Sequence, residues 1–213
     1  VTAPETTLIL IRHGETEWNR DRRFQGHGDS PLTTKGRTQT EALGKRLAAT
    51  AFDMLLSSDL GRALETAAII ARHTGHKVQT DPRLRERHYG ILEGLDITAI
   101  RRDHAAVYGS LITEDPDFII PQGQSHRQHA RINIDFLESW REANPGKTAA
   151  IVSHGGFLDN VFRYIAGLKF GAPRCVLVDN ASLSVVAYGL FYGSPRWIIR
   201  SWGDAGHLVG IGT

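Results

Sequence analysis

The chain has 213 residues, 41% of them hydrophobic and 23% charged, with a formal net charge of +2 and a single cysteine. This composition suits a folded α/β chain with a full core and excludes a disordered or fibrous one. No window approaches the roughly 18 apolar residues of a membrane span, lone Cys175 cannot form an internal disulfide, and the charge is too small to imply a nucleic-acid partner.

Thr7–Ile11 is a short continuous apolar run with β-branched residues. It reads as a strand buried on both faces, stopping at Arg12-His13-Gly14. A polar loop runs to Pro31, and Thr33 or Thr34 then caps a helix with Ala42, Leu43 and Leu47 on its buried stripe. Met54–Ser57 is a second buried strand. Ser58 or Asp59 caps the next helix, with Leu60, Leu64, Ala67, Ala68 and Ala71 as its apolar face and Gly75 as its stop. Val78–Thr80 is a third strand. Residues 81–125 are less regular, with a helical stretch near Ile97–Tyr108, and a long helix spans about 126–143. Ala149–Ser153 is another buried strand, ending at His154-Gly155-Gly156, and a helix follows to Gly167. Leu183–Gly189 and Trp197–Trp202 read as two strands joined through Gly193-Ser194-Pro195. The alternation implies a mainly parallel sheet covered on both faces, and without a proline-rich linker residues 1–213 read as a single domain. Val1-Thr2-Ala3-Pro4 carries no basic or long apolar signal region, so a cytoplasmic location is expected.

Sheets of this kind bind ligands outside the carboxyl ends of their strands. Two strands here end with His followed by Gly, at His13-Gly14 and His154-Gly155. One such histidine is ordinarily a solvated or capping residue; a matched pair at one sheet edge points to a shared pocket. The charge is also uneven, with twenty arginines against five lysines. Arginine presents a planar fork that matches the oxygens of carboxylates and phosphates.

Arg12-His13-Gly14-Glu15-Thr16 resembles the Arg-His-Gly signature of the histidine phosphatase superfamily, in the branch that contains phosphoglycerate mutases and many small phosphatases. Asn19 lies where that family places a phosphate-binding Asn, and Phe24–Thr33 is similar to its next loop. Ser57–Ala63 resembles the block with the second Arg, here Arg62. Leu84–Gly90 resembles the block with the acid, here Glu86, and Ser153–Gly156 the block with the second His, His154. Asn180-Ala181-Ser182 and Gly206-His207-Leu208 are similar to its C-terminal landmarks. The blocks occur in family order over nearly the whole chain. The resemblance implies a three-layer α/β/α sandwich with a six-stranded, mostly parallel sheet.

The residue types suit phosphoryl chemistry. Transfer of a phosphoryl group spreads charge over its equatorial oxygens and needs fixed cationic donors, a nucleophile and a proton source. Neutral imidazole is a competent nucleophile near neutral pH. The expected assignment makes His13 the nucleophile, forming a phosphohistidine, with Arg12, Arg62, Asn19 and His154 holding the phosphoryl oxygens. Glu86 is the expected general acid and then base, a role that asks for a carboxyl group with a raised pKa. Gln25, Gly26, Arg87, Tyr89 and Gly155 complete the expected substrate-binding set. Read singly, Arg62 would be an exposed first-turn residue, Glu86 a salt-bridge partner and Asn19 a turn cap; the ordered set favours the site. Trp18, Phe24, His27, Tyr108 and Phe118 are further candidates for its lining. No metal or other cofactor is required. His126 and His129, three apart on the long helix, lack a third ligand in sequence and read as a solvated face.

Water or a second hydroxyl can collect the phosphoryl group. The 68-residue interval from Glu86 to His154 resembles the shorter, phosphatase version of the fold. No Lys follows the acid block before Lys147, and Gln25 stands where mutases usually carry Thr, Ser or Cys. These departures favour hydrolysis of a small phosphorylated metabolite, with phosphoglycerate mutase as the alternative and a non-catalytic phosphate-binding module as a lesser one. Glu86-Arg87-His88-Tyr89-Gly90 leans the other way, toward the mutase block. Gln124 replaces the acidic residue that many of the phosphatases carry before the long helix. No membrane or nucleic-acid partner is expected; the family includes monomers, dimers and tetramers, and a homodimer fits the reading.

Overall fold

The computed structural model describes residues 4–169 and 172–212. In chain order its principal elements are β1 (Thr6–Arg12), α1 (Glu17–Arg20), α2 (Thr34–Ala48), β2 (Met54–Ser57), α3 (Gly61–Thr74), β3 (Val78–Thr80), α4 (Ile97–Asp103), α5 (Ala105–Leu111), α6 (His126–Ala143), β4 (Thr148–Ser153), α7 (Gly155–Ala166), β5 (Leu183–Phe191) and β6 (Ser194–Asp204). The strands form one sheet in the order β3-β2-β4-β1-β5-β6, in which only β5 runs against the others.

Strand alternation sets the layers. Leu8 and Leu10 of β1 pack with Phe136 and Leu137 of α6 and with Phe157, Leu158 and Val161 of α7. Ile9 and Ile11 face the opposite side and pack with Leu43 and Leu47 of α2 and with Ala63, Ala67 and Ile70 of α3. Both faces of β1 are therefore buried, which is why its sequence is continuously apolar. The result is the expected three-layer sandwich. Residues 81–125 add a small cluster of their own, in which Leu92, Ile100 and Ile120 are buried and Phe24, Tyr89 and Phe118 pack against them.

Register brings the two histidines together. Arg12 pairs with Ser153 across β1 and β4, so His13 and His154 leave the sheet side by side. Ser57 of β2 pairs with Val152, which sets Ser58 at the same edge.

Several local expectations are corrected. The polar loop after His13 contains a one-turn helix, α1, closed by a capping box between Thr16 and Asn19. Neither Ser58 nor Asp59 caps α3; the cap position is Leu60, without a side-chain bond. Ser58 instead meets His154, and Asp59 pairs with Arg85. The buried face of α3 is also rotated: Arg62, Ala63, Thr66, Ala67, Ile69 and Ile70 are buried, whereas Ala68 is exposed. An apolar-stripe reading treats Arg62 and Thr66 as solvent-facing, but both turn inward to serve the site. The helix expected near 97–108 is broken at His104 into α4 and α5. The β5–β6 turn falls on Tyr192-Gly193, both at positive φ (51° and 82°), so Ser194 and Pro195 already belong to β6. That strand is the sheet edge, where a proline is tolerated.

Candidate active site

The carboxyl ends of β1, β2 and β4 open onto a cavity of about 290 Å³ lined by Arg12, His13, Asn19, Arg62, Glu86 and Gly155, among others. Four other expected residues, Phe24, Gln25, Gly26 and Tyr89, also line it. His13 is 3% exposed. Its Nδ1 lies 2.8 Å from the Gly14 carbonyl oxygen. A carbonyl can only accept, so Nδ1 carries the proton and Nε2 keeps the lone pair. Burial, then the charges of Arg62 and Arg12, hold the His13 pKa well below the ordinary imidazole value. The Gly14 N–H is fixed by Thr66 Oγ1 at 3.1 Å, one reason that α3 turns this hydroxyl inward.

Arg62 is 1% exposed, not the exposed first-turn arginine that its position suggests. Its Nη2 donates to Gly26 O at 2.8 Å, and its Nη1 to Gly28 O and Asp29 Oδ1, both at 3.0 Å. Gly26 has φ +55°, and a Cβ there would lie 2.1 Å from Glu93 Oε1. Glu93 in turn accepts from the N–H groups of His27, Gly28 and Tyr89. Glu93 thus holds the loop that holds Arg62. Arg12 Nη1 donates to Val178 O at 2.7 Å, and burial lowers its pKa to about 10. The Nε atoms of both arginines are buried with no hydrogen-bond partner, as is His154 Nδ1. Orphaned buried donors are rare because each costs ~1–3 kcal/mol, and the two arginines that carry such donors both line this cavity.

His154 lies with its ring centroid 5.1 Å from that of His13, and its Nε2 pairs with Ser58 Oγ at 2.8 Å. Burial first, then Arg62 and His13, keep its pKa well below the ordinary value. The amide oxygen of Asn19 accepts from Thr16 and from Asn180 Nδ2, so its NH2 end is the group left for a ligand. The N-terminus of α7, beginning at Gly155, adds a positive backbone end to the same cavity.

Glu86 departs from expectation. Its two oxygens accept from the N–H groups of Arg87 (2.8 Å) and Gly156 (2.9 Å). Burial pushes its pKa up, but His129 in its protonated form, these two N–H groups and Arg62 act the other way and hold the carboxyl below its ordinary value. Gly156 is required for the contact, because a Cβ there would lie 2.0 Å from Glu86 Oε1 and 3.2 Å from His129 Cε1. Gly156→Ala is expected to displace the carboxyl and lower kcat by about 10²-fold, since a displacement near 1 Å from productive geometry has that effect. Steady-state kinetics beside a melting curve would check it; wild-type kcat would refute the positional role of this glycine.

Other residues lie elsewhere. His129 is 3% exposed and is no solvated face. Its Nε2 donates to Arg85 O and its Nδ1 accepts from Asn160 Nδ2, so both ring nitrogens are engaged in a network that pins the acid-bearing loop to α6 and α7. His126 joins it through Asn160 Oδ1. Gln124 Oε1 accepts from the His88 N–H, an acceptor role its amide fills without a negative charge. Arg87 donates to Gln124 O and Phe118 O and lines an adjoining cavity with Phe118. Trp18, His27 and Tyr108 line neither cavity. Arg174, which has no motif to announce it, lines both, with Nη2 on Gly155 O at 3.2 Å.

Two neighbouring histidines and two arginines at the carboxyl edge of a mostly parallel sandwich agree with the family resemblance of the sequence blocks. The chain belongs to the histidine phosphatase superfamily (branch 1), whose family profile matches residues 8–204. It is 39% identical over 208 residues to the probable phosphoglycerate mutase GpmB of Proteus mirabilis, covering 96% of this chain and 95% of that protein. Among solved structures it is similar to Bacillus stearothermophilus YhfR, with a TM-score of 0.85, 31% identity and coverage of 95% and 99% of the two chains. It is also similar to a mycobacterial glucosyl-3-phosphoglycerate phosphatase, with a TM-score of 0.81, 28% identity and coverage of 94% and 99%. No helix among the described residues is long and apolar enough to cross a membrane.

Proposed function

We propose that the protein hydrolyses phosphomonoesters through a phosphohistidine on His13. The observation that carries this reading is His13 itself: a neutral ring with its Nδ1 proton committed to Gly14, held in the field of buried Arg62 and half-buried Arg12. Nε2 attacks phosphorus as the P–O bond to the leaving group breaks. Arg12, Arg62, Asn19 and His154 hold the equatorial oxygens as charge develops there. Glu86 passes a proton to the departing oxygen. Its carboxylate then takes a proton from the water that attacks the phosphohistidine, releasing phosphate and restoring neutral His13.

Glu86 is held ionised in the free site, so the first proton arrives with the substrate. A phosphomonoester monoanion carries one, and its phosphoryl charge beside Glu86 raises the carboxylate's affinity for it. For an aryl phosphate, kcat/KM is expected to fall as pH rises through about 6, the second ionisation of a phosphomonoester. It is expected to show no loss on the acid side in the ordinary histidine range. The sign follows from His13: a lowered pKa keeps the ring unprotonated, and so nucleophilic, as pH drops. A pH–rate profile with an acid limb near 6.5 would contradict this.

The name carried by the curated relatives supports a second reading, phosphoglycerate mutase activity through the same phosphohistidine. Phosphate release from an aryl phosphate and isomerisation of 3-phosphoglycerate, assayed side by side with chelator present, separate the two. Release exceeding isomerisation is the expected result, and the reverse would make the protein a mutase.

A further inference from the structure

Glu86 follows a single 3₁₀ turn, Pro82–Leu84, and lies in no strand. Four consecutive carbonyls, from Arg83 to Glu86, are each held by a different side chain. Asn133 Nδ2 donates to Arg83 O at 3.0 Å, and Ser153 Oγ to Leu84 O at 2.7 Å. His129 Nε2 donates to Arg85 O at 2.9 Å, and His27 Nε2 to Glu86 O at 3.1 Å. A carbonyl only accepts, so both rings carry a proton on Nε2.

The donors on α6 are themselves locked. Asn160 Nδ2 uses its two hydrogens on His129 Nδ1 (3.1 Å) and Asn133 Oδ1 (2.8 Å), while Asn160 Oδ1 meets His126 Nε2 at 2.8 Å. His129, Asn133, Ser153 and Asn160 are all buried. Satisfying buried carbonyls is ordinary; what matters here is where the donors come from. Ser153 adjoins His154. Asn160 belongs to α7, whose first turn borders the phosphoryl cavity. His27 lies in the loop whose Gly26 and Gly28 carbonyls hold Arg62. The Glu86 carboxylate has two anchors of its own. One, the Arg87 N–H, sits on the same segment and moves with it, so only the Gly156 N–H is external. The place of the carboxylate relative to His13 is therefore set largely by the clamp on its backbone.

We infer that His129 (with Asn133 and Asn160 behind it), Ser153 and His27 are positioning residues for the reaction: by holding four successive backbone carbonyls they fix the Glu86 carboxyl against the departing oxygen. The inference rests on the hydrolytic reading above for the part that Glu86 plays.

The test compares phenyl phosphate with 4-nitrophenyl phosphate. Phenoxide, as basic as a tyrosine side chain at about 10, needs a proton as it departs; 4-nitrophenoxide leaves as the anion near neutral pH. The comparison is made on kcat/KM, which ends at that departure and excludes the later base step. In Glu86→Gln the phenyl-to-nitrophenyl ratio is expected to fall about 10²-fold, the scale of general-acid catalysis. His129→Leu is expected to lower it about 30-fold, and His129→Gln, which keeps a donor for Arg85 O, to leave it within about 3-fold of wild type. Ser153→Ala removes a single hydroxyl, so it keeps the test usable if His129→Leu does not fold, and is expected to lower the ratio about 10-fold. A purely structural role would lower both esters together. Hydrogen exchange of the Gly156 N–H reads the carboxylate without turnover. This amide lies in the first turn of α7 with Glu86 as its acceptor, and its exchange is expected to quicken about 10-fold in His129→Leu. If Glu86→Gln lowers the ratio, an unchanged ratio or equal losses on both esters in the folded variants would overturn the inference. If Glu86→Gln leaves the ratio unchanged, the acid of the hydrolytic reading fails instead; faster Gly156 exchange in the folded variants would then uphold the clamp, and unchanged exchange would overturn it.

Discussion

His13→Ala is expected to lower phosphate release by on the order of 10⁴–10⁶-fold, the scale on which loss of a covalent nucleophile is felt. Structurally the change is small. The ring makes one hydrogen bond, to the neighbouring Gly14 carbonyl, and one ring contact, with His154. The backbone around it is held independently, by the His13 N–H on Ser153 O and the Gly14 N–H on Thr66. The variant should therefore fold and still bind phosphate analogues, because Arg12, Arg62 and Asn19 remain. Circular dichroism and vanadate binding would establish that, and single-turnover phosphate release would give the rate. Retention of more than a few per cent of activity would mean that phosphorus is attacked by something other than this ring.

Arg62→Lys is expected to be the next most severe change, lowering kcat/KM by about 10²–10³-fold, the effect of removing one preorganised donor to a developing oxyanion. It also lowers stability. The guanidinium fork serves Gly26 O, Gly28 O and Asp29 at once, and its Nε, buried without a partner, is a fourth donor. A lysine ammonium is a single point with shorter reach and cannot fill all four roles. The buried Gly26 carbonyl and the half-buried Gly28 carbonyl lose their donor, so the melting temperature is expected to drop by roughly 5–10 °C. A scanning melt beside kinetics checks both. Near-wild-type kcat with a lowered melting temperature would make Arg62 a loop anchor rather than a phosphoryl ligand.

Most of the architecture was legible because it is carried by local patterns. Continuous apolar runs at 7–11 and 149–153 mark strands buried on both faces, and each ends in His-Gly at the edge where such sheets bind ligands. What escaped depends on contacts between distant segments. The inward turn of Arg62 and Thr66 follows from the loop carbonyls at Gly26 and Gly28 and from Gly14, none of which a helical stripe can register. The lowered pKa of Glu86 depends on the N–H of Gly156, which lies 70 residues away. Asp159 and Arg163 read in sequence as an ordinary i,i+4 surface pair, yet they are buried beside the site. Arg174 lies in an irregular segment with no periodicity to interpret. Glu93, which orders three N–H groups of two loops, looks like any exposed acid until Gly26 and Tyr89 are brought to it.

The central claim is that phosphorus becomes bonded to His13 during turnover. The most direct measurement is to quench the enzyme with alkali milliseconds after mixing with labelled phosphomonoester, then map the label by mass spectrometry. The expected result is an acid-labile, base-stable phosphoryl group on His13, forming faster than phosphate appears in solution and absent from His13→Ala. Phosphate release without any phosphoenzyme, or a phosphoryl group on another residue, would contradict the account.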